Sequence, residues 1–244
     1  MALGSLAHGF SDWTPGNAST ASQAPVKEVT AEFSRAAEAI LIALEALKSS
    51  FDLAELRFQY LTFIQVILNN ELASVLVSET NQAFFDPVIL SVTTLAKTVA
   101  NTTGALAASR LAFSIMAKMT DLWGGPNIAR LGAQPVAASG PPQPAFPGFD
   151  TFLIERFHPV CWEVLRESQF RPGMDAQAKT VLNEIAGLEQ VIYMKTGNMF
   201  VEHLQGSFFP SMGVDGSGFV TAMVENTDRK GLAGFLLKWL KGSG

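Results

Sequence analysis

One short stretch of the chain holds the residue types that nucleophilic catalysis uses. The sequence GFDTFLIERFHPVCWEVL, residues 148–165, contains the chain's one cysteine, Cys161, and one of its three histidines, His158. On a continuous helix, two residues that are three positions apart share a face, so this spacing could place an imidazole beside a thiol. Such a pair would form a cysteine nucleophile only if a third group orients the imidazole and solvent reaches the sulfur.

The surroundings of Cys161 favour a structural interpretation instead. Its neighbours along the chain are apolar or aromatic: Phe157, Val160, Trp162 and Val164. A free cysteine among such side chains is most often buried and inert. Pro159 has no N–H to give to a helix, so it should kink or restart the helix at this point. We therefore predict a buried corner between helices rather than a catalytic site.

The other residues that could carry chemistry give no catalytic pattern. His8 and His203 have no metal-ligand spacing around them. The GVDGSG segment at 213–218 lacks the order of a phosphate-binding loop, and its glycines are predicted to end one short helix and start the next. Glu184 and Glu189, five positions apart, point in different directions around a helix. The sequence predicts a protein that is not an enzyme and that needs no metal or cofactor.

Composition and charge narrow the class of protein further. Hydrophobic residues make up 48% of the 244 residues and charged residues 16%, which is enough apolar material for a large core. The longest apolar run, residues 58–68, is about half of the roughly 20 residues that a membrane-spanning helix needs, so we predict no membrane insertion. The net charge of −5 argues against nucleic-acid binding through overall charge, although it permits a local basic surface.

The periodicity of apolar residues predicts an all-α chain. Stripes at spacings of three and four residues predict helices that cover residues 33–47, 53–77, 82–100, 105–123, 148–166 and 174–195. Shorter helices are predicted over residues 197–209, 214–226 and 228–241. Residues 1–25 are predicted to be a flexible leader, and residues 26–244 a single helical region. Within that region, residues 124–147 are rich in proline and glycine and predict a loop.

The size of the predicted helix pairs suggests how they assemble. Helices of 17 to 25 residues joined by short turns give pairs of about 40–47 residues, which is the size of HEAT and armadillo repeats. The predicted architecture is therefore a stack of antiparallel helix pairs, an α-solenoid of HEAT repeats. The sequence similarity between the pairs is weak, so an irregular helical bundle is the alternative.

Three stretches of the chain have a recognisable pattern: DLWGGP at 121–126, GFDTFLIERFHPVCWEV at 148–164, and DAQAKTVLNEIAGLEQVIYMKTGNMFVEHLQGSFFPSMG at 175–213. They resemble the C-terminal end of the exportin-T family, the karyopherin-type nuclear export receptors for tRNA. The resemblance extends from about residue 105 to the end of the chain, and residues 26–104 fit the helical repeats of the family more loosely. In that family the FHPVCWEV-type stretch leads into a loop and then into the helix that DAQ opens, which supports the structural corner.

The resemblance implies a superhelix of HEAT repeats that wraps tRNA together with Ran in its GTP-bound form. Receptors of this family are several times longer, so the chain would supply their last repeats and RanGTP would bind through regions outside it. The C-terminal repeats would help to hold tRNA near its acceptor end. A receptor of this kind would also contact nucleoporins and shuttle between nucleus and cytoplasm.

The expected RNA contacts follow from the predicted pairing of helices. The second helix of each HEAT pair usually lines the concave surface, which here selects residues 53–77, 105–123 and 174–195. We expect four cations on these helices to lie on solvent and to contact phosphates: Arg110, Lys118, Lys179 and Lys195.

A protein-interaction scaffold without direct RNA contact is the alternative function. Such a scaffold would use apolar grooves between the helices, as other karyopherin repeats do. An exposed hydrophobic groove without basic neighbours would favour the scaffold, and cations gathered on the concave side would favour RNA binding.

Overall fold

The computed structural model is helical in every regular element that it describes. It describes Arg35, Glu38, Ala39, Ile42 and residues 54–70, 72–78, 81–99, 104–132 and 146–242. The predicted all-α class is therefore confirmed. The predicted leader, residues 1–25, lies outside the described residues, and so do residues 133–145 of the predicted loop. The chain divides into two compact units, Met1–Thr94 and Leu95–Gly244.

The first unit contains helix α1, Ala54–Asn69, a 3₁₀ turn, Ala73–Val75, and most of helix α2, Gln82–Ala96. The prediction that the first of these helices continues to residue 77 is wrong. Asparagine side chains occupy the carbonyl groups there, because Asn70 Nδ2 donates to Val66 O at 2.7 Å and Asn81 Nδ2 donates to Val75 O at 2.9 Å. Val66 O also accepts the backbone N–H of Asn70 at 3.1 Å, so the Asn70 side chain supplies a second donor to the last turn of the helix.

The second unit begins with the last residues of α2 and continues with long helices that match their predicted bounds closely. Helix α3 is Ala105–Trp123, and the long helix α6 is Ala176–Thr196. The side chain of Asp175 caps α6 by accepting the backbone N–H of Gln177 at 2.7 Å. The remaining helices of the unit are α4 (Phe149–Phe152), α5 (His158–Leu165), α7 (Asn198–His203), α8 (Phe209–Met212), α9 (Ser217–Glu225) and α10 (Arg229–Gly242).

Two π-helical turns interrupt these shorter helices at equivalent places. The first is Leu153–Phe157, between α4 and α5, and the second is Leu204–Phe208, between α7 and α8. In each case a proline follows two residues after the turn, in the sequences LIERFHP and LQGSFFP, which begin 51 residues apart at positions 153 and 204. Proline cannot donate to the helical ladder, and its ring crowds the carbonyl one turn earlier, so the ladder widens in front of it.

The directions of the helices in the second unit follow from their contacts. The end of α3 lies beside the end of α6, because the backbone N–H of Ile128, just after α3, donates to Met194 O at 2.8 Å. These two helices therefore run parallel, as equivalent helices of successive repeats do. Between them in sequence, α4 and α5 run back the other way: Phe149 contacts Trp123 with ring centroids 5.7 Å apart, and Lys97 pairs with Glu163 at 3.0 Å.

Helix α6 is the central helix of the second unit. It contacts α3, α5, α7, α9 and α10, and its predicted apolar stripe of Val181, Ile185, Leu188 and Ile192 is completely buried. Helix α10 runs antiparallel to it, since Arg229 pairs with Glu184 at 2.9 Å whereas Lys241 lies beside Gly173. Among the described helices, none is both long enough and apolar enough to cross a membrane.

Candidate nucleic-acid interface

The predicted corner at His158 contains a buried hydrogen-bonded pair. The Nδ1 atom of His158 lies 2.9 Å from Glu189 Oε1 and 3.0 Å from Glu189 Oε2. Both side chains are completely buried. Because a carboxylate only accepts hydrogen bonds, Nδ1 carries the proton of the imidazole. The pair joins the first turn of α5 to the middle of α6.

Aromatic rings surround the rest of the His158 imidazole. The ring centroid of Phe208 lies 4.2 Å from that of His158, and the centroid of Phe200 lies 4.9 Å from it, both edge to face. The Nε2 atom of His158 is buried and has no hydrogen-bond partner within the described residues. The corner is therefore closed to solvent on the side away from Glu189.

Cys161 sits in the same enclosed corner and has the wrong properties for a nucleophile. Its side chain is completely buried, and its Sγ lies 3.8 Å from Phe157 O. Burial raises the pKa of the Cys161 thiol well above its ordinary value, and the negative charge of Glu189 raises it further. A nucleophilic cysteine needs a lowered pKa and access to solvent. The prediction of a structural corner is confirmed.

The four predicted RNA contacts differ in their exposure to solvent. Arg110 on α3 and Lys179 in the first turn of α6 are exposed, and Lys118 on α3 is half-buried. None of the three side chains has a hydrogen bond or an ion pair within the described part of the chain. Arg110 and Lys118 are separated by about 12 Å along the helix axis, at about 1.5 Å per residue.

The expectation that Lys195 lies on solvent is wrong. The residue is 8% exposed, and its Nζ donates to Gly125 O at 2.7 Å and lies 3.2 Å from Asp121 Oδ1. The parallel packing of α3 and α6 brings Lys195 to the end of α3, where unpaired carbonyl groups and the helix dipole favour a cation. Lys195 thus joins two helices and has no free donor surface for a phosphate.

A groove with two free arginines lies at the end of the second unit, where α5, the loop after it, α8 and the end of α10 meet. Its volume is about 700 Å³. We call it the arginine groove and define it by Trp162, Arg166, Arg171, Met212, Val214 and Trp239. Arg166 and Arg171 are exposed, and neither side chain has a hydrogen bond or an ion pair among the described residues. Glu167 also lines the groove.

The expected RNA contacts do not include these two arginines, because only the second helix of each predicted pair was expected to face RNA. Arg166 and Arg171 lie in the segment RESQFRPG, which connects α5 to α6. A signal was present, since two arginines five positions apart frame Phe170 in a short connection. What the sequence lacks is any indication that Met212, Val214 and Trp239, from later helices, complete the groove.

Within the described residues, no group of three or more histidine, cysteine, aspartate and glutamate side chains is arranged to hold a metal ion.

Comparison with known proteins identifies a single family. The family model described as Exportin-T matches residues 1–53 and 49–243. The chain is 55% identical to Exportin-T of Sclerotinia sclerotiorum and 54% identical to Exportin-T of Botryotinia fuckeliana, each over 99% of this chain and 32% of the relative. It is 41% identical to Exportin-T of Pyricularia oryzae over the same shares of the two chains. The chain thus spans about a third of the length of these relatives.

The hydrogen-bonded pair of His158 and Glu189 leads to a prediction about the free energy of unfolding. Replacing His158 with alanine leaves the Glu189 carboxylate buried without a partner, and we expect a loss of about 3–5 kcal/mol in the free energy of unfolding. The double change His158→Leu/Glu189→Leu removes both polar groups and should recover most of that loss. The measurement is equilibrium unfolding in urea, with His203→Ala as a half-buried control that should cost less than about 1 kcal/mol. A His158→Ala variant as stable as the control would contradict the structural role.

Lys195 provides a second prediction about stability. The change Lys195→Met keeps the apolar stem but leaves Gly125 O without its donor, so we expect a loss of about 1–3 kcal/mol. Lys179→Met is the matched control, and as a change on the surface it should stay within about 0.5 kcal/mol of the unchanged chain. Thermal and urea unfolding of the two variants give the comparison. Equal stabilities would show that Lys195 contributes nothing as a link between α3 and α6.

Proposed function

Because the chain belongs to the exportin-T family, we propose that it is the C-terminal repeat region of a karyopherin-type nuclear export receptor for tRNA. The observation that carries the proposal is the identity of 55% to an Exportin-T over 99% of the chain. The whole receptor binds tRNA cooperatively with RanGTP, which contacts regions outside this chain. It passes the nuclear pore by contacting nucleoporins and shuttles between nucleus and cytoplasm.

The surface of the second unit supports a direct contact with RNA. Arg110, Lys118 and Lys179 lie on the parallel helices α3 and α6 without intramolecular partners in the described part of the chain. Phosphate contacts from a few such cations are independent of sequence and do not require a positive net charge. Folded RNA is recognised largely by its shape, which a rigid pair of parallel helices can complement. Lys195 is excluded from this surface by its burial.

The proposed function has no catalytic step. The thiol of Cys161 is buried, and its pKa is raised by that burial and by Glu189. The imidazole of His158 is committed to Glu189. Cys161 and His158 are therefore part of the packing between helices rather than a catalytic pair, and the receptor acts by binding.

A protein-interaction scaffold is the second candidate, and the arginine groove is the observation that favours it. Four of its lining residues are apolar and half-buried: Met212, Val214, Trp239 and Leu240. A scaffold surface of this kind would lack basic neighbours, however, and Arg166 and Arg171 line the same groove. The combination fits an anionic ligand better than an apolar protein segment.

The proposed function predicts weak binding of tRNA that depends strongly on salt. A receptor that grips RNA at several places gains from effective concentration, so this chain alone should bind tRNA only at low ionic strength. The change Arg110→Gln/Lys179→Gln removes two expected phosphate contacts. Each lost contact should flatten the slope of log K, the association constant for tRNA, against log salt concentration by about 0.9, the value for B-form DNA, which gives about 1.8 for the pair. Fluorescence anisotropy with labelled tRNA over a salt series gives the slope.

The matched control is Lys97→Gln/Arg229→Gln, which removes the same charge from residues already paired with Glu163 and Glu184. This control should leave the slope within about 0.5 of its value in the unchanged chain. If the two double variants change the slope equally, Arg110 and Lys179 act through overall charge and do not contact the RNA. If the unchanged chain fails to bind tRNA even at low salt, this region does not contact the RNA directly.

A further inference from the structure

The arginine groove combines two chemical features that a nucleotide also combines. Its rim carries the guanidinium groups of Arg166 and Arg171, which have no intramolecular partner in the described part of the chain. Its wall carries Trp239, Met212 and Val214, all half-buried. A nucleotide places a flat apolar base next to a phosphate, whereas a peptide has to supply an acidic and an apolar side chain from different residues. The groove therefore favours a nucleotide.

The charge near the groove is positive although the chain is acidic overall. Arg166 and Arg171 outnumber Glu167 among the lining residues. A Cβ atom built on Gly173 would lie 3.4 Å from Lys241 Cε, which places the stem of Lys241 against the same loop. Guanidinium groups hold phosphates through paired hydrogen bonds, and they stay charged at every physiological pH. The groove is thus a local cationic surface.

Trp162 forms part of the wall of the groove. The Nε1 atom of Trp162 is buried and has no hydrogen-bond acceptor among the described residues, although Trp162 lines the groove and is 2% exposed. The Trp162 ring is held in place by Phe209, Phe219 and Trp239, with ring centroids 5.0 Å, 5.1 Å and 5.4 Å away. Packing against these three rings fixes the Trp162 side chain as part of the rigid wall of the groove.

We propose that the arginine groove binds one unpaired nucleotide of the RNA, with its phosphate on Arg166 and Arg171 and its base against the wall that contains Trp239. Aromatic side chains beside cations are the usual means by which proteins hold unpaired bases without reading their sequence. The inference rests on the proposed function, since the RNA cargo supplies the nucleotide. It adds a second kind of contact, because Arg110, Lys118 and Lys179 are assigned to the phosphates of the folded RNA.

The test compares an unpaired strand with a duplex. The probes are a labelled hexamer of uridine and a labelled blunt duplex of twelve RNA base pairs, each measured by fluorescence anisotropy at low salt with the whole chain. Arg166→Gln/Arg171→Gln should weaken binding of the hexamer at least about tenfold and binding of the duplex less than about twofold. The slope of log K against log salt for the hexamer should flatten by about 0.7, because the two arginines hold one phosphate and each phosphate contact on a single strand contributes about 0.7.

Two further variants separate the loss of positive charge from the loss of the paired hydrogen bonds that arginine makes with a phosphate. Lys97→Gln/Arg229→Gln removes the same charge elsewhere and should change binding of the hexamer less than about twofold. Arg166→Lys/Arg171→Lys keeps the charge but loses the paired hydrogen bonds, so its affinity for the hexamer should fall between those of the other two variants. Circular dichroism melts establish that all variants stay folded.

Each opposing outcome overturns the proposal in a distinct way. Equal losses for hexamer and duplex in Arg166→Gln/Arg171→Gln would mean a general charge effect. Displacement of the hexamer by inorganic phosphate as effectively as by uridine monophosphate would mean a site for the anion alone. Tighter binding, dependent on both arginines, of a labelled peptide of alternating aspartate and phenylalanine would mean a protein ligand.

Different results would contradict the nucleotide site and the proposed function. If the unchanged chain binds tRNA and the groove variant binds the hexamer as well as the unchanged chain does, the inference fails and the proposed function stands. If the unchanged chain binds neither tRNA nor the hexamer at low salt, both fail.

Discussion

The carboxylate of Glu189 has to be satisfied inside the core, and much of the second unit follows from that requirement. An unpaired buried carboxylate costs several kcal/mol, so the helix that covers Glu189 must bring a donor to it. His158 supplies that donor at 2.9 Å. This bond fixes where α5 lies along α6. Trp162 and Arg166, which follow His158 on and after α5, are thereby held at the arginine groove.

Buried and exposed charges have different tasks in this chain. Glu189 and Lys195 are buried on α6, and each joins that helix to a neighbour, to α5 through His158 and to the end of α3 through Gly125 O. Arg110, Lys179, Arg166 and Arg171 are exposed and have no partners among the described residues. A charged side chain that is buried and bonded to a neighbouring helix is unavailable to a ligand. This division explains how an acidic chain can still have unpaired cations on its surface.

The sequence predicted the elements whose information is local. Helix α3 was predicted with its observed bounds, because its apolar stripe and the stop signal at Gly124 lie within it. The buried stripe of α6 was predicted for the same reason. The end of α1 was missed, since apolar residues such as Leu72, Val75 and Leu76 continue beyond Asn69, where the helix ends. The π-helical turns were anticipated only as a kink at Pro159, although the repeated pattern of leucine, phenylalanine and proline was readable.

The candidate site was less predictable because it depends on contacts between distant residues. Lys195 is bonded to a carbonyl 70 residues earlier, a contact that no local pattern shows, although its position three residues after Ile192 continues the apolar stripe that Lys179 lies outside. His158 and Glu189 are 31 residues apart, and each was considered without the other. The arginine groove needs side chains from four separate segments. Residue type and spacing identified the corner as structural, but they could not identify which cations stay free.

Hydrogen exchange of backbone amides, measured by mass spectrometry with and without tRNA at low salt, tests the central claim most directly. The claim is that buried charges on α6 hold a rigid frame that presents free cations to RNA. We expect the amides of residues 185–195 to exchange slowest and to be unaffected by tRNA, because they open only when the unit unfolds. We expect tRNA to slow exchange in residues 166–174. Fast exchange in residues 185–195, or tRNA protection there and none in residues 166–174, would contradict the account.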